Sequence, residues 1–382
     1  MLSGDGHNVK YKSDVLKISF SAFFADLGYQ AAVALFPLVV VVVLHAPISL
    51  YGLIEGINYG GGILMGLMGG VLADKYGAKR VAVIGNAIIV VIGFTGMAKN
   101  LVQAVVAFMT GWFARNFRSP PRRVMMLDVT YPEERKEAFG VLHALDILGA
   151  SLALVYVTLG LYMKVSIALL TVPAFVTLII STLLLVSVKG RGLMGKKTNV
   201  EAGRKGRRLF AAVIASTALF AFSQYSFGFP IITTYEVSKE LYLATATYLV
   251  FLLTSSAFGY VFGKVKVNET KGLALFGYFL AGLGSLGFAF LSGYGVSAIW
   301  LSSVVMGIAV AATEVYEPTI ISGIAQKEGL GMGLLSMGRS IGIFLGNAIM
   351  GLLYQFGYAY SYTFAALMSF VASLMVYLVS RK

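Results

Sequence analysis

Gly69-Gly70-Val71-Leu72-Ala73-Asp74-Lys75-Tyr76-Gly77-Ala78-Lys79-Arg80 is a short charged knot set between two long apolar runs. One run enters it from residue 49 and a second leaves from Val81. Glycines at these positions let two helices turn tightly back on each other. Asp74, Lys75, Lys79 and Arg80 stay at a membrane surface, where charge is tolerated. The stretch therefore reads as the reversal between two membrane-crossing helices.

The composition points the same way. The chain of 382 residues is 58% apolar and 12% charged, with a mean hydropathy of +0.82. A helix needs roughly 20 apolar residues to cross a bilayer core, and backbone groups in lipid must pair within helices or closed barrels. The runs are continuous rather than alternating, so helices are expected. With no cysteine and three histidines, neither a disulfide nor a zinc site is expected. The net charge of +13 lies in short loops on alternate sides of successive helices. That is the positive-inside pattern, which points to anionic lipid headgroups rather than nucleic acid. The first apolar run is too long for a cleavable signal peptide, and Lys10, Lys12 and Lys17 mark a cytoplasmic flank.

The spacing predicts an all-α integral membrane protein with twelve transmembrane helices. The spans are 15–43, 49–73, 80–98, 101–126, 137–160, 165–188, 209–234, 241–264, 272–293, 296–325, 329–355 and 359–379. Only Lys99, Lys164 and Lys239 fall in the outward loops, which places both termini in the cytoplasm of a cell membrane. Residues 189–208 form the one extended hydrophilic segment, basic except for Glu201. They divide a six-helix bundle, 1–188, from a second, 209–382. Gly62, Gly66 and Gly70 recur every fourth residue, as do Gly338, Gly342 and Gly346. Small residues at that spacing bring helices close, and sliding contacts between the halves are expected there.

An internal repeat supports two pseudo-symmetric halves. Arg115-Asn116-Phe117-Arg118-Ser119-Pro120, followed by Ala138-Phe139-Gly140 and by His143, Asp146 and Gly149, overlays Glu314-Val315-Tyr316-Glu317-Pro318, Gly331-Met332-Gly333 and Ser336, Arg339 and Gly342. The signs are inverted: Arg115 and Arg118 correspond to Glu314 and Glu317, and Asp146 to Arg339. Duplicated halves are a transporter architecture.

Charge at membrane depth costs roughly 2.5–3.5 kcal/mol even on the lenient insertion scale, yet this chain keeps several such groups. Asp26 lies near the middle of the first span and Glu55 in the outer third of the second. Arg115 and Arg118 share a helix face, as do His143 and Asp146, and Glu314 and Glu317. Two readings stand. Arg118 pairs with Asp146 and Glu317 with Arg339 as internal clamps, or these groups serve substrate and protons. Asp26 has nothing basic near it on its own helix, and a carboxyl in a low-dielectric cavity favours its protonated form. Asp26 is thus the expected proton carrier, with Glu55 or Asp146 assisting. Tyr29 and Gln30 beside it, with Gln224, Tyr225, Tyr59, Tyr248 and Tyr316, would line an aromatic, moderately polar pocket.

The opening stretch resembles the loop between helices 2 and 3 of the major facilitator superfamily. Gly70, Leu72, Ala73, Asp74, Lys75, Gly77, Lys79 and Arg80 match, and Ala78 departs from a basic residue. The resemblance extends over essentially the whole chain. Asp26-Leu27-Gly28-Tyr29, Gly52-Leu53-Ile54-Glu55-Gly56, Arg118-Ser119-Pro120-Pro121-Arg122 and Glu134-Arg135 look like an efflux-type branch of bacteria and archaea. It implies the major facilitator fold and export of drugs or metabolites. It also implies a cytoplasmic gate of Gly70, Asp74, Lys75, Gly77, Lys79 and Arg80, with Asp74 against the start of a helix near Gly329. Arg115 or Arg118 would take the place of the family's helix-4 arginine. Two departures stand. Gly149-Ala150-Ser151 lacks the Gly-Pro of many antiporters, and the second copy of the loop, Gly259–Lys264, has no aspartate.

No enzyme signature or cofactor motif is present. Energy must come from an ion gradient, or the chain is a uniporter. The expectation is a monomeric, proton-coupled secondary transporter that exports a small organic or drug-like compound by alternating access. A divalent-metal or organic-anion transporter of the same fold is the alternative, and a non-transporting receptor or scaffold the more distant one.

Overall fold

The computed structural model describes residues 5–131, 135–189, 215–265, 267–324 and 328–380. The regular elements among them are all helical. In the order of the chain they are α1 (Asp5–Pro37, running on as a π-helix over Leu38–Val43), α2 (Ile48–Tyr76), α3 (Ala78–Ile89, extended as a 3-10 helix over Val90–Met97), α4 (Leu101–Asp128), α5 (Arg135–Tyr162), α6 (Ile167–Thr171), α7 (Pro173–Ser187), α8 (215–221) and α9 (Gly228–Ser238). There follow α10 (Leu241–Lys264), α11 (Glu269–Gly272, with a π-helix over Leu273–Phe279), α12 (Leu280–Leu291), α13 (Val296–Ile324), α14 (Glu328–Tyr354) and α15 (Tyr358–Ser380).

Nine helical stretches among the described residues are long and apolar enough to cross a bilayer. Three expected spans are not among them, for different reasons. The span at 101–126 is helical, but its arginines make α4 too polar to qualify. The one at 209–234 begins outside the described residues and is interrupted at residues 222–227, between α8 and α9. The one at 329–355 is represented by a shorter apolar stretch, Arg339–Tyr354. The basic segment from 190 to 208, and the surroundings of Gly329 and Gly338, lie outside the described residues.

Two compact units emerge: Met1–Val39 with Gly62–Lys197, and Val40–Gly61 with Thr198–Lys382. The chain passes from the second to the first within Gly60-Gly61-Gly62 of α2. In the first unit, α1 packs on α5 and α7, and α3 on α4. In the second, α10 packs on α13, and α12 on α13 and α15.

The glycine stripes lie inside these units. A Cβ on Gly62 would meet Asn116 Nδ2 at 2.8 Å, one on Gly66 would stand 3.6 Å from the Asn116 carbonyl, and one on Gly69 would collide with the Phe117 carbonyl. Gly342 and Gly346 face the Ala218 and Phe222 carbonyls in the same manner. The described stripe glycines are thus close-packing seats. They seat α2 on α4 and α14 on the end of α8. The prolines inside α4 give the reason. Pro120 and Pro121 have no N–H, so the carbonyls of Asn116 and Phe117 have no i+4 donor, and glycine lets the next helix approach them closely.

The charged knot closes the turn from α2 to α3. Gly77 has φ +92°, a left-handed value that suits glycine. Lys79 Nζ donates to the Val188 carbonyl at 2.7 Å, tying the turn to the end of α7. Asp74 and Arg80 are exposed, and Lys75, also exposed, lies over the Tyr76 ring.

Gly69→Ala should lower stability by about 1–3 kcal/mol, the usual cost of forcing extra volume into a close contact. Gly263→Ala, where an added methyl meets nothing, should leave it within about 0.5 kcal/mol. Thermal unfolding of the two purified variants in detergent checks the difference.

Candidate functional site

In the first unit the polar side chains of four helices converge. From α1, Asp26 is 5% exposed and accepts a hydrogen bond from Tyr29. Its carboxyl also lies within hydrogen-bonding reach of that of Asp146 on α5. From α4 come three arginines a helical turn apart, with three different fates. Arg122 donates from both terminal nitrogens to Asp146, at 3.3 and 3.1 Å. Arg118 is fully buried and donates to Asn86 of α3. Arg115 donates to Tyr29 at 3.3 Å and lies over the rings of Tyr29 and Trp112, 5.5 and 5.4 Å from their centres. No carboxylate among the described residues is within ion-pair distance of Arg115.

The expected partnership of Arg118 with Asp146 is thus corrected: the aspartate pairs one turn further along, with Arg122. Arg118 is instead absorbed by a polar chain. Asn86 donates to Ser181 at 3.1 Å and Thr182 at 2.8 Å, and Ser181 reaches Ser21. This chain ties α3, α7 and α1 together. Gly85, next to Asn86, leaves room for α4: an added Cβ would stand 3.0 Å from Arg118 Cβ.

The second unit holds the inverted counterpart. Glu317 of α13 is fully buried and pairs with Arg339 of α14, as expected. Glu314, which is exposed, completes a fork on Arg339 at 3.1 Å. Tyr278, in the π-helix after α11, donates to Glu317 at 2.6 Å and meets Thr217 at 3.0 Å. Arg118 and Glu317, equivalent in the repeat, thus each bind a neutral polar group on another helix of their unit.

Glu55 stands apart from both clusters. It belongs to the second unit, is 3% exposed, and accepts from Asn58 Nδ2 at 2.9 Å. Tyr51 and Ser226 also lie within hydrogen-bonding reach of its carboxyl.

The other expected pocket residues are dispersed. Gln30 and Tyr59 are half-buried. Gln224 and Tyr225 fall in the break before α9, where Tyr225 meets Ser285 at 3.2 Å. His143 is exposed on α5. Tyr248 stacks on Phe227, and Tyr316 leans on Phe262. Among the described residues no three His, Asp or Glu side chains come together as a metal-ligating group. The sequence reading passed over Asn86, Tyr278, Ser226 and Arg122 as site residues. For Arg122 a signal existed: it follows Arg115 and Arg118 at i+7 and i+4, on the same face.

Long apolar helices with paired charges inside them make this a multi-pass membrane protein of the transporter type. The chain belongs to the Major Facilitator Superfamily, whose sequence pattern matches residues 18–327. No curated protein sequence matches it as a relative. Solved structures share its fold at low identity. A peptide transporter of the POT family aligns with TM-score 0.78 at 13% identity, covering 99% of both chains. A nucleoside transporter aligns with TM-score 0.72 at 16% identity, over 97% of this chain and 99% of that one. A bacterial homolog of the human lysosomal transporter Spinster aligns with TM-score 0.70 at 13% identity, over 99% and 98%.

A double-mutant cycle tests the corrected pairing. Asp146→Ala should destabilise by up to about 3–5 kcal/mol by stranding Arg122. Arg122→Met with Asp146→Leu should recover most of that loss. Arg118→Met should couple to Asp146 clearly more weakly than Arg122→Met does.

Proposed function

We propose that the chain is a proton-coupled secondary transporter that exports a small organic compound by alternating access. The observation that carries this is that the carboxyls of Asp26 and Asp146 lie within hydrogen-bonding reach of each other, beside Arg115, which has no carboxylate at ion-pair distance among the described residues. Two such carboxyls are stable when one proton is shared between them, and they then titrate as a unit. With that proton in place the pair carries one negative charge, which Arg122 balances. When the proton leaves, Asp26 offers a second carboxylate that Arg115 and a substrate amine can compete to hold. The returning proton displaces the amine. Such competition is antiport.

The rest of the reading follows the superfamily. Twelve spans in two six-helix halves, termini in the cytoplasm and residence in the cell membrane agree with the lysine and arginine pattern. The exposed loop of Gly70, Asp74, Lys75, Gly77, Lys79 and Arg80 serves as the cytoplasmic gate. A monomer suffices. Peptide and nucleoside carriers of the same fold support a polar organic substrate. A second reading has Arg115 in its favour: a guanidinium held only by π faces and neutral oxygens is a ready anchor for an organic anion. In that case proton and substrate enter together.

Reconstitution into liposomes with an internal pH-sensitive dye, under an imposed pH gradient and with a panel of organic cations and anions, tests both. Asp26→Asn should cut substrate-driven proton movement about 10²-fold or more, the scale of losing a positioned proton-transfer group, while substrate binding stays measurable. Coupling retained in that variant overturns the assignment. Loss of response to anions alone in Arg115→Gln favours the second reading.

A further inference from the structure

Glu55 poses a problem the proton route through Asp26 does not address. Its carboxyl is 3% exposed, and no Lys, Arg or His among the described residues lies within ion-pair distance. The groups around it are neutral oxygens and one amide. Tyr51 Oη and Ser226 Oγ stand 3.2 Å apart, both within reach of the carboxyl. Asn58 Nδ2 contacts Oε1. Ser226 is itself fixed, with its backbone N–H on Asn347 Oδ1 at 2.7 Å and its hydroxyl receiving the Gly228 N–H at 3.1 Å. The break between α8 and α9 thus delivers a hydroxyl to the face of α2. An ion left uncompensated in such surroundings costs several kcal/mol.

Asn58 supplies the second observation. Its side chain is fully buried, yet Oδ1 has no hydrogen-bond partner among the described residues. The same amide sits against the carboxyl through its nitrogen. Which end of an amide faces a neighbour is set by what lies between them. Turned about, Asn58 presents its oxygen to Glu55 and forms, with Tyr51 and Ser226, a cage of oxygen ligands. Oxygen cages of this kind hold hard cations. One carboxylate among neutral oxygens balances one positive charge, so the ion is monovalent. Oxygens a hydrogen bond apart admit only a small one.

We propose that Glu55, Asn58, Tyr51 and Ser226 form a binding site for a small monovalent cation, sodium, on α2. Occupancy would neutralise Glu55, give Asn58 Oδ1 a cation in place of an empty neighbourhood, and fasten the first half of α2 to the start of α9 within the second unit. The site stands independently of the proton pair and of the substrate.

The test is the melting temperature of the purified full chain in detergent, titrated with sodium, potassium or choline chloride at constant ionic strength. Sodium should raise it saturably, and potassium and choline should not. Glu55→Gln should abolish the shift. Asn58→Ala should weaken the apparent affinity at least about tenfold, equivalent to about 1.4 kcal/mol. Asp26→Asn should keep the shift, which separates this site from the proton pair. Isothermal calorimetry of sodium binding to the unmutated protein covers the case in which Glu55→Gln does not fold. No sodium heat there, or a sodium shift that survives in Glu55→Gln, overturns the proposal. A stability that follows pH alone, with no cation dependence, also overturns it and assigns Glu55 a proton.

Discussion

Charge in a low-dielectric helical interior has to be answered within reach of its own side chain, and this requirement organises both units. Each answers it once with an ion pair between two successive helices: Arg122 with Asp146 in one, Glu317 with Arg339 in the other. Each answers it a second time by giving its most buried charge to a neutral group on a neighbouring helix, Asn86 or Tyr278. The signs are exchanged between the units. The repeat therefore preserves an arrangement of complementary charges rather than particular side chains. The first unit's cluster carries three arginines against two aspartates, and the second carries two glutamates against one arginine.

The backbone is arranged around the same helices. Two adjacent prolines in α4 take away two hydrogen-bond donors, and the carbonyls so freed lie where α2 comes closest. Glycine is what permits that approach. Its cost in helix propensity, roughly 1 kcal/mol per residue, is offset by contact along the whole seam. The distribution of α2 between the units places its glycines in two groups with separate tasks. Gly62, Gly66 and Gly69 receive α4, while Gly52 and Gly56 receive α14, where an added Cβ on Gly52 would stand 2.5 Å from the Asn347 carbonyl.

Much of the helical architecture was legible because apolar run length and loop charge are direct imprints of the bilayer. The reversal at Gly77 and the pair of Glu317 with Arg339 were also legible, since each follows from short-range spacing or from the repeat. The pairing of Asp146 was not. Arg118 and Arg122 lie one turn apart on the same face of α4, and choosing between them requires the depth at which α5 crosses. The environment of Asp26 was hidden for a related reason: its neighbours Asp146 and Arg115 come from helices far along the chain, and reading α1 alone makes the carboxyl look solitary. The break at residues 222–227 gave only weak warning in Gly228-Phe229-Pro230, and nothing local marks Ser226 as a ligand to Glu55. The π-helix that aims Tyr278 at Glu317 leaves no compositional trace.

The arginines of α4 carry a consequence for how the protein is made. A helix with Arg115, Arg118 and Arg122 within it is a poor substrate for insertion on its own, each central arginine costing about 2.5–3.5 kcal/mol on the translocon scale. The chain is synthesised from its amino end, so α4 leaves the ribosome before Asp146 exists. Asn86 is already present on α3 to receive Arg118, but Arg122 lacks its ion-pair partner until α5 follows. The ion pair of Arg122 with Asp146 thus forms only once α5 has joined α4, so the two helices depend on each other for a neutral interior.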